Sequence, residues 1–369
     1  MLKNTAPFAD LTLFEHPRLL VFNPRGRDAP QAFPDAAGDP HSSSAGPHAP
    51  VNFHAYAACL RGEFLTDLRA VLRRNTPTPA PVLLLLRRDL AGGLNCLRAL
   101  RSAGHPVAVS FKETGAFQVA AQLAKPGALR LFREIVSEAP GCIAPTPWLA
   151  DFFRDAGARG VVEFLPTPYP VDDPRWDFSA RETDAPSGTL VGTREFATLS
   201  RQHLAAVLSA SRLGAETGEP VTVINSEGRH GARRLEALGF SLSPGANNLR
   251  HYVNGPLPYA DYLRLIARHQ LVFQLDRSAV PGQVAGDALL CRVPCVGGDG
   301  AVEILASPDL AGHNKSPAEL AELAAMLLRD VAARHRAIAD AQARAAALLS
   351  FSAVAPRLAD FFRKIAATI

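Results

Sequence analysis

Residues 282–303 read GQVAGDALLCRVPCVGGDGAVE. A glycine opens the segment, a single acid, Asp287, follows a second glycine, and an apolar block runs on to Cys291. Val293-Pro294 and a further apolar pair lead into Gly297-Gly298-Asp299-Gly300, with Glu303 beyond. The spacing predicts an apolar helix start carrying Asp287, then a glycine-rich turn ahead of the second acid. A carboxylate at a helix start is stabilised by the dipole, by about 0.3–1 kcal/mol, and stays ionised to accept hydroxyl hydrogen bonds. Glycines let a backbone approach a ligand closely, and the N–H groups of the 297–300 loop suit phosphate or sugar.

Outward from this segment, short apolar runs alternate with helical periodicity. Strands are expected at 16–24, 81–86, 105–111, 141–145 and 161–166. Helices are expected from Phe53, capped by Asn52, to residue 74, then up to 103, across 115–138 and across 147–157. The Pro/Gly/Ser/His-rich stretch 25–50 is long for a connection and reads as a flexible loop or an active-site flap. Residues 172–188 are charged and aperiodic, and mark a linker. After it the alternation restarts: strands at 189–193, 220–226 and 270–276, helices at 197–214, 229–238 and 259–268, and a loop through 244–255. Helices at 316–349 and 356–367 complete the chain. The fold class is therefore α/β, with two doubly wound domains over 1–171 and 189–349 facing each other across a cleft. Residues 350–369 are expected to form a terminal helix, with packing back on the first domain as one option. Ligands of such sheets bind at the carboxyl ends of the strands.

The chain's 369 residues exceed one ordinary core and suit two domains of roughly 150–200 residues. Its 47% apolar and 20% charged residues are those of a globular protein. The net charge of +4 lies wholly in the first half, where residues 1–170 carry 18 Lys and Arg against 14 Asp and Glu. That is too weak for a nucleic-acid footprint, and leaves open an anionic membrane surface or substrate. No apolar run approaches the roughly 20 residues that span a bilayer, and the N-terminus lacks a signal-peptide pattern. A cytoplasmic protein is expected, with peripheral contact at the inner membrane face as the alternative. One carrier of such contact is the stripe Phe64–Leu72 flanked by Arg61, Arg69, Arg73 and Arg74. Cysteines at 59, 96, 142, 291 and 295 form neither a disulfide framework nor a zinc site, and no metal is expected. GxGxxG, GxxxxGK[ST] and GxSxG patterns are absent, which argues against dehydrogenases, P-loop enzymes and nucleophile-elbow hydrolases.

The 282–303 segment resembles the donor-nucleotide motif of GT-B glycosyltransferases, particularly the family 4-like group. Gly282, Asp287, Ala288, Pro294, the stretch from Gly297 to Gly300, and Glu303 fall on matching positions. VGTREFATLSRQHL (191–204) is similar to the stretch in which such enzymes place cations on the donor diphosphate, here Arg194 and Arg201. GCIAPTPWLADFFRDAG resembles the end of an acceptor domain. The resemblance implies two Rossmann-like domains, a nucleotide-sugar co-substrate in the second and a glycan, lipid-linked or small-molecule acceptor in the first. It implies metal-independent transfer with no resident cofactor. Asp287 would hold the ribose, Gly282, Gly297, Gly298, Gly300 and Glu303 would surround the donor, and Arg194 with Arg201 would stabilise the leaving diphosphate.

Departures from the motif matter. The first acid of the pair falls on Ala279, Asp287 replaces the usual Glu, and Arg292 stands at a usual glycine. Where such domains often deliver a His to the cleft, the strand end reads VSFKETG, so Lys112 and Glu113 are the catalytic candidates, Glu113 as general base. Solvated helix acids and a Lys112–Glu113 strand-end pair are the plainer readings of these residues. His54 and His105 are the histidines to look for in the cleft. The lost first acid keeps a non-catalytic binding subunit in play, and a sugar-nucleotide epimerase on the same fold is the other alternative.

Overall fold

A computed structural model describes residues 18–36, 49–73, 79–179, 187–242 and 248–367. In the first domain, β1 (Leu20–Phe22), β4 (Val82–Leu86), β5 (Val107–Phe111), β6 (Gly141–Ala144) and β7 (Val161–Phe164) run parallel. β3 (Glu63–Leu65) joins parallel to β1, and β2 (Gln31–Ala32) caps that edge antiparallel. The order is β2-β3-β1-β4-β5-β6-β7 among the described residues. The unbroken Val82–Leu86 run is buried along its whole length, as a parallel strand covered by helices on both faces must be.

One face is covered by α3 (Leu90–Ser102), α5 (Ala128–Glu138) and α6 (Pro147–Asp155), which bury Leu97, Phe132 and Phe153 against β4 and β5. The other is covered by α1 (Asn52–Cys59) and the terminal α14 (Phe351–Ala366), whose Phe361, Phe362 and Ile365 lie against Ile143 and Leu165. α14 therefore packs on the first domain. It begins earlier than its sequence pattern suggested, because Ser350 accepts the Ala353 N–H and caps it.

The expected helix over 53–74 is instead α1, β3 and the short α2 (Leu68–Leu72). Arg61 takes a left-handed backbone, and a Cβ at Gly62 would sit 1.9 Å from the Leu19 carbonyl oxygen, so the chain must break there. Phe64 and Leu65 then pair with Val21 and Phe22. The stripe proposed for a membrane surface is thus split between a sheet and one turn of helix, and Phe64 is fully buried; Arg74 lies outside the described residues. Asn52 does not cap α1; the capping position is Val51.

The second sheet runs β10-β9-β8-β11-β12, all parallel: β8 (Thr189–Val191), β9 (Val221–Asn225), β10 (Arg250–Asn254), β11 (Leu271–Phe273) and β12 (Cys295–Val296). β10 occupies part of the expected loop 244–255, where a run with polar ends masked its pairing. Its helices include α7 (His203–Thr217), α9 (Tyr259–Ala267), α10 (Gln283–Leu290), α11 (Ala301–Ala306), α12 (Pro317–Arg329) and α13 (Val331–Leu348). In the expected linker, Trp176 and Phe178 pack into the second domain's core; residues 180–186 lie outside the described part. The chain crosses back at Ser350, which pairs with Tyr169 beside the first crossing.

Each sheet reverses its strand order once, between β1 and β4 and between β8 and β11, and ligand crevices form at such points. The return of α14 is also directly testable. Phe361→Ala should lower unfolding stability by about 3–5 kcal/mol in urea, as loss of a buried aromatic does. A helix merely resting on the surface would give a change near zero.

Candidate active site in the interdomain cleft

The loop after β11 bridges the domains. Ser278 accepts the Ala116 N–H at 3.0 Å, the Ala279 carbonyl accepts Trp148 Nε1–H at 2.7 Å, and Asn52 Nδ2 donates to Gln283 Oε1 at 3.0 Å. The position of the missing acid, Ala279, thus serves domain contact. Its N–H donates to Asp299 at 2.9 Å and its backbone is left-handed.

Behind this bridge lies a cavity of about 390 Å³ at the switch point of the second sheet. Lys112, Glu113, Arg194, Arg201, Gly282, Asp287 and Glu303 all line it, which gathers seven of the residues singled out from the sequence. Gly297, Gly298 and Gly300 do not line it. A Cβ at Gly282, Gly298 or Gly300 would fall 2.0–2.7 Å from a Glu303 carboxylate oxygen, and one at Gly297 would fall 1.8 Å from the Gln274 carbonyl. Gly282, Gly298 and Gly300 make room for the buried Glu303 side chain, and Gly297 for the Gln274 carbonyl.

Asp287 is wholly buried. It lies beyond the first turn of α10, where the helix dipole no longer favours it. Tyr259 Oη–H donates to its Oδ1 at 2.5 Å, while Oδ2 has no partner among the described residues. Burial pushes its carboxyl up to about 7, against the opposing pull of the Tyr259 hydrogen bond and the Arg194 charge. The expectation of a permanently ionised acid is thereby corrected. Glu303 sits in the first turn of α11, accepts Gln274 Nε2–H at 2.9 Å through Oε1, and leaves Oε2 without a partner among the described residues. Burial pushes it to about 8.

The two arginines differ. Arg194 stacks its guanidinium 4.0 Å from the Tyr262 ring centroid and forms no ion pair among the described residues. Arg201 is paired with Asp276, whose other oxygen accepts the Ser278 N–H at 2.8 Å. Lys112 and Glu113 do not pair with each other: Lys112 meets Asp28 at 3.2 Å, and Glu113 meets Arg87 at 3.1 Å. His54 stacks on Phe64 at 3.9 Å inside the core, and His105 meets the Ala80 carbonyl at 2.9 Å; neither lines the cavity. Among the described residues no cluster of His, Cys, Asp and Glu is arranged to hold a metal ion.

Several lining residues escaped the sequence reading. Asp276 follows a strand end, where functional groups collect, and that was the available signal. Gln274 and Gln283 carried none.

The raised carboxyls set a pH dependence. Both bind protons more tightly folded than unfolded, so their contribution to stability is complete below the unfolded value near 4 and is lost as pH rises through about 7 and 8. The stability difference between wild type and Glu303→Gln, taken from denaturant titrations at about pH 5 and about pH 8, should move in the variant's favour at the higher pH. A pH-independent difference would mean that Glu303 is ionised throughout.

No protein-family model and no curated protein matches this chain by sequence. Solved structures do match it in three dimensions. A UDP-forming α,α-trehalose-phosphate synthase from Burkholderia xenovorans gives a TM-score of 0.62 at 14% identity, over 95% of this chain and 99% of that one. Sucrose-phosphate synthase from Thermosynechococcus elongatus gives 0.54 at 16% identity over 95% and 100% of the two chains. HepE from Anabaena, in complex with UDP-glucose, gives 0.57 at 14% identity over 93% and 98%. At such identities the likeness concerns architecture, and the architecture agrees with the resemblance drawn from residues 282–303: the chain has the GT-B fold.

Proposed function

We propose that this chain is a glycosyltransferase that moves a sugar from a nucleotide sugar to an acceptor. The observation that carries the reading is the presence, in one cleft cavity, of Asp287 Oδ2, without a partner among the described residues, and of the Arg194 guanidinium, without an ion pair among them. Asp287 then accepts ribose hydroxyls, and Arg194 meets the diphosphate, a match of planar donors to anionic oxygens. A UDP-forming synthase and a UDP-glucose complex among the fold neighbours support the same reading.

In this reading the bond between the anomeric carbon and the diphosphate oxygen breaks as the acceptor oxygen bonds to that carbon. The electron pair leaves with the nucleoside diphosphate, whose charge Arg194 stabilises; the acceptor hydroxyl proton passes to Glu113. Arg201 contributes less than the resemblance implies, because Asp276 already answers its charge. Transfer needs no metal in this scheme. One observation favours a second reading, binding without transfer: the position of the missing acid is taken up by Trp148 and Asp299.

A nucleotide panel of UDP, GDP, dTDP, CMP and their common sugars tests the site by thermal shift. A ligand at 100 times its dissociation constant adds about 2.7 kcal/mol of stability. One base should raise the melting temperature of wild type and fail to do so in Asp287→Ala and Arg194→Ala. Silence across the panel sinks the reading. Binding without any donor hydrolysis favours the second one.

A further inference from the structure

A second cavity, of about 890 Å³, lies at the switch point of the first sheet. Arg25 and Arg27 reach it from the loop after β1, Arg87 and Arg88 from the loop after β4, and Lys125 from the end of α4 (Ala116–Leu123). Two acids answer two of these charges: Asp89 meets Arg25 at 3.2 Å, and Glu113 meets Arg87 at 3.1 Å. Arg27, Arg88 and Lys125 form no ion pair among the described residues, which leaves the concavity with three unanswered positive charges. Like charges gathered at one crevice repel one another, and an anion there removes that cost.

A second feature also points to a ligand. Gln122, 8% exposed, lines the same cavity, and its side-chain oxygen has no partner among the described residues while its nitrogen donates to the Gln118 carbonyl. A buried carboxamide left half-satisfied costs stability unless a ligand hydroxyl or amide completes it. The location relates this cavity to the first: Glu113 and Gln118 line both, so a molecule held by the cations presents its far end where the two spaces meet.

We propose that this second cavity binds the phosphate of a phosphorylated acceptor, with the acceptor's reacting hydroxyl directed toward Glu113. Guanidinium forks suit phosphate oxygens, and Arg88 and Arg27 supply two of them beside the Lys125 ammonium. The word acceptor rests on the glycosyltransferase reading above; the anion site rests only on the cavity and its charges. Two sources offer the same chemistry, a free sugar phosphate and a lipid-linked diphosphate.

Calorimetric titration of the full chain distinguishes them. One arm uses a hexose 6-phosphate against the unphosphorylated hexose; the other uses farnesyl diphosphate against farnesol in detergent. In at least one arm the phosphorylated probe should bind about tenfold or more tightly than its partner, and less tightly as salt rises. Arg88→Ala with Lys125→Ala should remove about tenfold or more of that affinity. Both residues are exposed, so the doubly substituted chain should keep its fold and its nucleotide affinity. A preference in the first arm alone identifies a soluble acceptor, and in the second alone a lipid-linked one. No preference in either arm, or equal binding by the variant, overturns the proposal. Phosphate binding with a silent nucleotide panel keeps the anion site and removes the transferase reading. Nucleotide binding without phosphate preference does the reverse.

Discussion

The segment from Asp276 to Gln283 is the constraint on which the cleft depends. It leaves the carboxyl end of β11, crosses to the first domain, and returns as the start of α10. Along this path Ser278, Ala279 and Gln283 each form a hydrogen bond to the other domain. Because these bonds use backbone carbonyls and one carboxamide, they fix the position of the loop without placing charge at the interface. Asp276 and Gly282 are carried by the same segment, so this wall of the cavity and the domain contact cannot move independently. The backbone at Ala279 and Gly282 is left-handed, which sharpens both ends of the crossing.

Glu303 shows how the glycine motif works in this chain. Its carboxyl group occupies space that side chains at Gly282, Gly298 and Gly300 would fill, and Gln274 secures one of its oxygens. The glycines therefore preserve a buried acid at the base of the cavity. An acid so enclosed gives up hydration that its hydrogen bonds do not replace, which is why burial dominates its protonation. Asp287 follows the same logic one helix away, with Tyr259 donating to its Oδ1.

The architecture was legible in the sequence because parallel strands buried on both faces read as short apolar runs, as in Val82–Leu86 and Val107–Phe111. The helix–strand ambiguity fell where that signal fails. Residues 53–74 have helical periodicity in composition, yet Gly62 lies against the Leu19 carbonyl, a tertiary contact that no local pattern contains. β10 was missed for a related reason: RHYVN exposes or half-exposes most of its side chains on an edge strand. In the site, Asp287, Glu303, Arg194 and Arg201, which the family resemblance singled out, line one cavity. The resemblance did not reveal that Asp276 would answer Arg201, or that Lys112 and Glu113 would each find a different partner. Ion pairing between distant loops depends on the fold, not on spacing.

The electrostatics of the two cavities differ in kind. The first is lined by Lys112, Arg194 and Arg201 against Glu113, Glu195, Asp276, Asp287 and Glu303, so its net charge turns on how many of its acids hold a proton. With Asp287 and Glu303 neutral, the opposing charges balance; with both ionised, the cavity is anionic and repels a diphosphate. Burial, by favouring the neutral forms, thus makes the cleft more hospitable to an anionic nucleotide than its composition suggests. The second cavity has more basic than acidic side chains in its lining, and that excess comes from arginine and lysine. Arginine keeps its proton across any physiological pH, so the positive sign there is built into the sequence. The small positive charge of the whole chain, confined to its first half, is consistent with this division: one domain carries a fixed anion-attracting field, and the other a field set by protonation.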